Sequence, residues 1–204
     1  MKRWLLVALV LVLALMGVMG ACAPPTEGPP AEGPPEEVAP PSEEEASPPS
    51  KPDIEILIYM NSEYGFSAEY PNDWEFEEGL METIVLFAGP LVAEEFMINI
   101  NILSEELHEF PKTTLEDYAR LSEMGIKRSV DYYEKVDEHS SIIDGQPAIV
   151  RSYIAEMDGF RHMQTQAYFF KENVAYVITY AAPTEFHDEY YDCFELIIAT
   201  LKFE

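Results

Sequence analysis

From Tyr133 onward, apolar and polar residues alternate in four long runs, and each of the first three runs ends in a turn signal. Asp144-Gly145 and Asp158-Gly159 are residue pairs that accept the positive φ of two-residue hairpins, and Lys171-Glu172-Asn173 reads as a third turn. Strands are expected at about 133–143, 146–157, 160–170 and 174–181. Tight turns in series allow only an antiparallel meander, because a parallel return needs a crossover of a dozen residues or so. The last run, Val174 to Ala182, is apolar on both faces, which places it centrally with cover on both sides.

The residues before the meander add further strands and a helix. Gly65 to Tyr70 alternates, with Phe66, Ala68 and Tyr70 on one face. Pro71-Asn72-Asp73 breaks that strand, and Trp74 to Phe76 begins another, with Trp74 expected to pack beneath the sheet. Thr83 to Phe87 is an apolar run closed by Gly89-Pro90. In Phe96 to Leu103, Phe96, Ile98, Ile100 and Ile102 face one way and Asn99 and Asn101 the other. Thr113 or Thr114 opens a helix, Thr113 and Glu116 having capping-box spacing. Its buried stripe is Leu115, Tyr118, Ala119, Ser122 and Ile126.

After the meander, Pro183-Thr184 opens a second helix with Thr184 as its N-cap. Phe186, Tyr190, Cys193, Phe194 and Ile197 form its apolar stripe, and a short strand from Thr200 to Phe203 follows. The order of elements predicts an α+β fold, an antiparallel β-sheet covered by helices.

The first fifty residues have a different composition. Lys2 and Arg3 precede fourteen residues without a polar side chain, Leu5 to Val18, and small residues lead up to Cys22. A positive start, a short apolar stretch and a small-residue end describe a secretory signal. Trp4 to Ala23 is also about long enough, at ~20 residues, for an uncleaved membrane anchor. The small flanking residues Gly17, Gly20 and Ala21 favour the signal. Ala23 to Pro52 holds eleven prolines and seven glutamates and no aromatic residue. Such a segment buries too little apolar surface to offset the entropy of ordering it. Its Pro-Pro pairs favour polyproline II, and at ~3.1 Å per residue it reaches roughly 90 Å when extended. The expected organisation is a signal at 1–21, a disordered Pro/Glu-rich linker at 22–52 and a globular domain at 53–204.

Two resemblances sharpen this organisation. Met19-Gly20-Ala21-Cys22 resembles the lipobox of bacterial lipoproteins, which implies cleavage before Cys22 and lipid on its sulfur. Gly65-Phe66-Ser67, Tyr70-Pro71-Asn72-Asp73-Trp74, Gly145-Gln146-Pro147-Ala148 and the closing helix before Leu201-Lys202-Phe203 are similar to the PsbP-like domain over about 60–204. The second resemblance implies an α/β/α sandwich around an antiparallel sheet. Photosynthetic members are extrinsic subunits of photosystem II that help retain calcium and chloride near the manganese cluster. Their N-terminal segment is replaced here by the Pro/Glu tether, and lipoproteins with this domain occur where no photosystem exists. The fold therefore carries over better than the role.

Residues 53–204 carry 31 acidic against 9 basic residues, a formal charge of −22. That excludes a nucleic-acid binder, which needs clustered Lys and Arg, and it opposes docking on anionic lipid. The two cysteines, Cys22 and Cys193, are too few for a disulfide scaffold or a Cys-rich zinc site. G-x-S-x-G, P-loop, H-E-x-x-H and C-x-x-C patterns are all absent from the sequence. Cys193 falls on an apolar helical stripe and reads as packing.

Glu105, Glu106, His108 and Glu109 cluster before Pro111 and read as an acidic surface loop, the sharper alternative being a cation site. Asp137, Glu138 and His139 alternate across a strand and do not converge unaided. His162 and the pair His187 and Asp188 read as solvated. No catalytic residue, metal ligand set or cofactor is assigned, and Cys22 is the single site residue, for lipid attachment. The expected function is a lipid-anchored, extracytoplasmic, non-catalytic binding or assembly module for an envelope or membrane complex. Its partners are the membrane, through Cys22, and a protein that the sequence does not name. The alternatives are a calcium- or manganese-binding accessory protein and an unrecognised hydrolase.

Overall fold

Two antiparallel meanders share one sheet in the computed structural model, which describes residues 55–93, 96–107 and 113–204. Cys22, the signal and the linker lie outside the described residues. The first meander is β3 (Glu75–Glu78), β4 (Val85–Val92) and β5 (Phe96–Glu106). The second is β6 (Tyr132–Ile143), β7 (Gln146–Met157), β8 (Phe160–Lys171) and β9 (Val174–Pro183). The two join where β5 pairs with β9, giving the order β3-β4-β5-β9-β8-β7-β6. The strand expected to be central is the middle one of seven, and it is buried along almost its whole length.

The three hairpins each have a two-residue turn, as the paired ends Ile143 with Gln146, Met157 with Phe160 and Lys171 with Val174 show. Asp144 and Gly145 both take positive φ, as do Asp158 and Gly159. That is the I′ geometry whose twist matches the strands. Asp144 also receives the Phe203 N–H at 3.3 Å and lies 3.2 Å from Lys202 Nζ, which ties the first turn to the chain end.

A second, three-stranded sheet has the order β1-β2-β10, from β1 (Ile56–Asn61), β2 (Phe66–Pro71) and β10 (Lys202–Phe203). Together with α2 (His187–Thr200) it covers one face of the large sheet. Phe66, Ala68, Phe87, Ile98, Ile100, Ile102, Ile178, Phe194 and Ile197 fill the core between them. The opposite face carries α1 (Leu115–Ser129), which packs Tyr118 and Ala119 on Tyr168 and Val177, and Ile126 on Tyr153. Helix, sheet and helix thus form three layers, as expected for an α+β sandwich.

Four local expectations need correction. Gly89-Pro90 does not end the strand; β4 runs through it, with a register shift between Ala88 and Leu91. Proline offers no N–H to a ladder, and an irregularity of this kind accommodates it. The cap of α1 is Thr114, whose Oγ1 accepts the Asp117 N–H at 3.1 Å, rather than Thr113 with Glu116. Helix α2 starts later than expected, with Phe186 at its N-cap position and Thr184 in a preceding turn. Strand β1 was not anticipated at all.

Candidate functional site

The polar residues inside the sandwich are the place to look for chemistry. On the α2 face, Ser152 of β7 and Thr165 of β8 sit opposite each other. Their hydroxyl oxygens are 2.8 Å apart. Thr165 Oγ1 is 3.0 Å from Nε2 of His187, and His187 Nδ1 is 3.4 Å from Asp188 Oδ1. The Tyr180 hydroxyl donates to the His187 carbonyl at 2.7 Å. This is a hydroxyl, an imidazole and a carboxylate in sequence, the composition of a nucleophilic triad. Its geometry is structural. Thr165 is 0% exposed, with no route for a substrate to its hydroxyl. His187 is buried, not solvated, and it anchors the first turn of α2 to the middle of the sheet.

On the α1 face a row of uncharged amides crosses the sheet. Asn99 and Asn101 of β5, Thr179 of β9, and His162, Gln164 and Gln166 of β8 all point to this side and are buried. The Gln164 amide donates to His162 Nε2 at 3.0 Å, and the Tyr153 hydroxyl donates to Gln164 Oε1. Gln166 Nε2 donates to Thr179 Oγ1 at 3.2 Å, and the Tyr168 hydroxyl donates to Gln166 Oε1. Asn99 Oδ1 and Asn101 Oδ1 are buried and accept no hydrogen bond. His162, expected to face solvent, belongs to this network.

Arg151 completes the α1 face. Its guanidinium donates to Glu138 Oε2 from both Nε and Nη2 at 2.5 Å, and to the Ala119 carbonyl of α1 from Nη1 at 2.7 Å. A buried cation with these three bonds fixes the helix on the sheet.

The sequence candidates are dispersed. Glu105 Oε2 accepts the Tyr118 hydroxyl at 2.9 Å, while His108 and Glu109 lie outside the described residues. Asp137 and His139 share a face and meet at 2.7 Å on the exposed edge strand, whereas Glu138 turns to Arg151. Cys193 packs half-buried against the main core. Among the described residues no three His, Cys, Asp or Glu gather as metal ligands, and no helix is long and apolar enough to cross a membrane.

The arrangement of strands and helices is shared with solved proteins. Cyanobacterial PsbP from Synechocystis sp. PCC 6803 superposes with a TM-score of 0.55 at 13% identity, over 78% of this chain and 98% of that one. The chain has the PsbP-like fold. LpqN of Mycobacterium tuberculosis, involved in cell envelope biogenesis, has the same fold at a TM-score of 0.54 and 10% identity, over 74% of this chain and 91% of that one. So does the Ran-binding protein Mog1p of Saccharomyces cerevisiae, at 0.53 and 10%, over 74% and 96%. No family model matches the sequence, and no curated protein does. Within the PsbP-like fold of this chain, the two buried histidines are the polar residues that sequence reasoning misplaced. The available signal was the run His162, Gln164, Thr165 and Gln166, which puts polar groups on both faces of a strand flanked by apolar neighbours.

Burial lowers the pKa of His162, opposed by a backbone hydrogen bond with Phe160, and burial lowers that of His187, opposed by Asp188. Both imidazoles therefore fold neutral. Above the unfolded value near 6.5 the titration of neither alters stability. As pH falls below it, the unfolded chain takes up protons that the folded chain excludes, and stability drops. The expected loss is at most about 1.4 kcal/mol per pH unit for each histidine. Urea unfolding of the wild type and of His187→Asn at pH 7.5 and 5.5 checks this. The variant should show the smaller difference between the two pH values; equal differences would refute the assignment to His187.

Proposed function

We propose that this PsbP-like domain is a non-catalytic binding or assembly module, anchored by lipid on Cys22 at the extracytoplasmic face of a membrane and held off it by residues 23–52. One observation carries the non-catalytic part: Ser152, Thr165 and His187 bond to each other, Gln164 bonds to His162, and the triad-like chain among the described residues has its hydroxyl fully enclosed. Its interactions therefore fall to the surface. The solved relatives support this reading, one being a Ran-binding protein and another involved in cell envelope biogenesis. The anchoring part rests on the lipobox resemblance and on the Pro/Glu composition behind Cys22.

The test is made in native membranes. Palmitate labelling and membrane fractionation are expected for the wild type and are expected to be lost in Cys22→Ala. Cross-linking of the anchored protein should retrieve a discrete protein complex. Labelling that survives the substitution overturns the anchor, and a cross-linked set no different from that of an unrelated lipoprotein overturns the assembly role.

A further inference from the structure

Strand β1 is the outer strand of the small sheet, next to β2. The Asn72 N–H donates to the Glu55 carbonyl at 2.9 Å. In an antiparallel pair, hydrogen-bonded positions recur at every second residue. Glu55 fixes the phase, so Leu57, Tyr59 and Asn61 are the residues of β1 that bond with β2. Ile56, Ile58 and Met60 then direct their N–H and C=O groups outward, away from β2. Their side chains face solvent as well, at 42%, 66% and 67% exposed; on the other face Tyr59 and Asn61 are buried, while Leu57 at the start of the strand is exposed. Among the described residues no strand pairs with the outer side of β1, so the same three residues offer both an open hydrogen-bonding edge and an apolar surface.

Other edges of this protein are defended. Every residue of β3 is exposed and three of its four are glutamate. The edge strand β6 carries Glu134, Lys135, Asp137 and Glu138, with a register shift between Lys135 and Asp137. Charges and bulges of this kind keep foreign strands away. β1 has neither a charged residue nor a proline, and its pairing with β2 is regular throughout.

We propose that β1 is a docking edge for an extended protein segment that alternates apolar with Lys or Arg residues and adds to the small sheet as a fourth strand. This deepens the binding-module reading and rests on it. Charge decides the occupant. Glu55 and Glu63 flank the strand, and Glu69 lies directly across from Ile58. A second copy would bring another domain of formal charge −22 against these acids. Residues 23–52 of the same chain are excluded on two grounds: their prolines lack the N–H groups a ladder needs, and their glutamates add to the repulsion. An apolar segment with basic residues instead covers Ile58 and Met60 and meets the surrounding carboxylates. The mode of recognition is strand addition, in which main-chain bonds supply affinity and alternate side chains supply specificity.

The experiment uses the full chain and two eight-residue peptides, one alternating Val and Lys and one alternating Val and Glu. Binding is read by fluorescence anisotropy, and amide protection by hydrogen exchange. The Val/Lys peptide should bind and should protect the amides of Ile56, Ile58 and Met60, while the Val/Glu peptide should not bind. Ile58→Pro, which removes one outward N–H and leaves the charge unchanged, should weaken binding about tenfold or more. Ile58→Thr/Met60→Thr, which keeps the backbone intact, should do the same. Undiminished binding by both variants would reduce the effect to general charge attraction and overturn the proposal. So would binding without amide protection. Dimers or attachment to phosphatidylcholine vesicles that the Thr variant abolishes would assign the edge to a second copy or to lipid instead. Peptide binding stands or falls independently of the membrane cross-linking, so failure of the edge and failure of the assembly role are told apart.

Discussion

Replacing Arg151 by Met is expected to lower the unfolding free energy by roughly 2–4 kcal/mol and to loosen α1 from the sheet. The guanidinium is buried, donates twice to Glu138 and once to the Ala119 carbonyl, and lies 5.7 Å from the centre of the Tyr168 ring. Removing it takes the charge-assisted bond from the Ala119 carbonyl and leaves Glu138 with only Lys135, 3.6 Å away. Because Glu138 keeps about a third of its side-chain surface in water, the loss falls short of that for a fully buried charge. Urea denaturation gives the magnitude, and hydrogen exchange should show α1 opening before the sheet. A loss below about 1 kcal/mol would mean that the apolar contacts of Tyr118 and Ile126, with the Tyr118–Glu105 bond, hold the helix without it.

Trp74→Ala carries the other large effect, an expected loss of roughly 3–5 kcal/mol. Trp74 is buried in the main core, as its sequence position after the Pro71 break led us to expect. The indole lies against Gly89, where a Cβ would stand 2.7 Å from two ring carbons. Gly89→Ala should therefore be destabilising while the indole is present and close to harmless once Trp74→Ala has removed it. A double-mutant cycle measures that difference directly. If the two effects simply add, the indole does not press on this part of β4.

The meander was legible because its periodicity and its turns agree. Alternation marked the strands, and Asp-Gly pairs fixed where each must reverse. Strand β1 was not legible, since a run of apolar residues is read as core and four of these, Ile56, Leu57, Ile58 and Met60, are exposed. The buried histidines failed in the opposite sense. A titratable side chain is expected outside unless partners are present, and those of His187 come from Thr165, a strand and a turn away. Neither a bond across twenty-two residues nor the phase of an edge strand leaves a mark in local composition. Cys22 was assigned from a four-residue pattern and concerns processing, which packing does not reach.

The seam between the meanders also bears on the order in which this chain can acquire structure. Asn99 must find Ala181, and Ile102 must find Ile178, so β5 keeps one flank open until nearly the last strand has been made. Closing so distant a pair is slow compared with zipping a hairpin. A polypeptide that emerges N-terminus first presents β3, β4 and β5 well before β9 exists. During that interval the row Ile98, Ile100 and Ile102 has no cover from β9 or α2. Until β9 arrives, that apolar row is a surface on which non-native pairing can begin, and the sheet is sealed only when the second meander is complete.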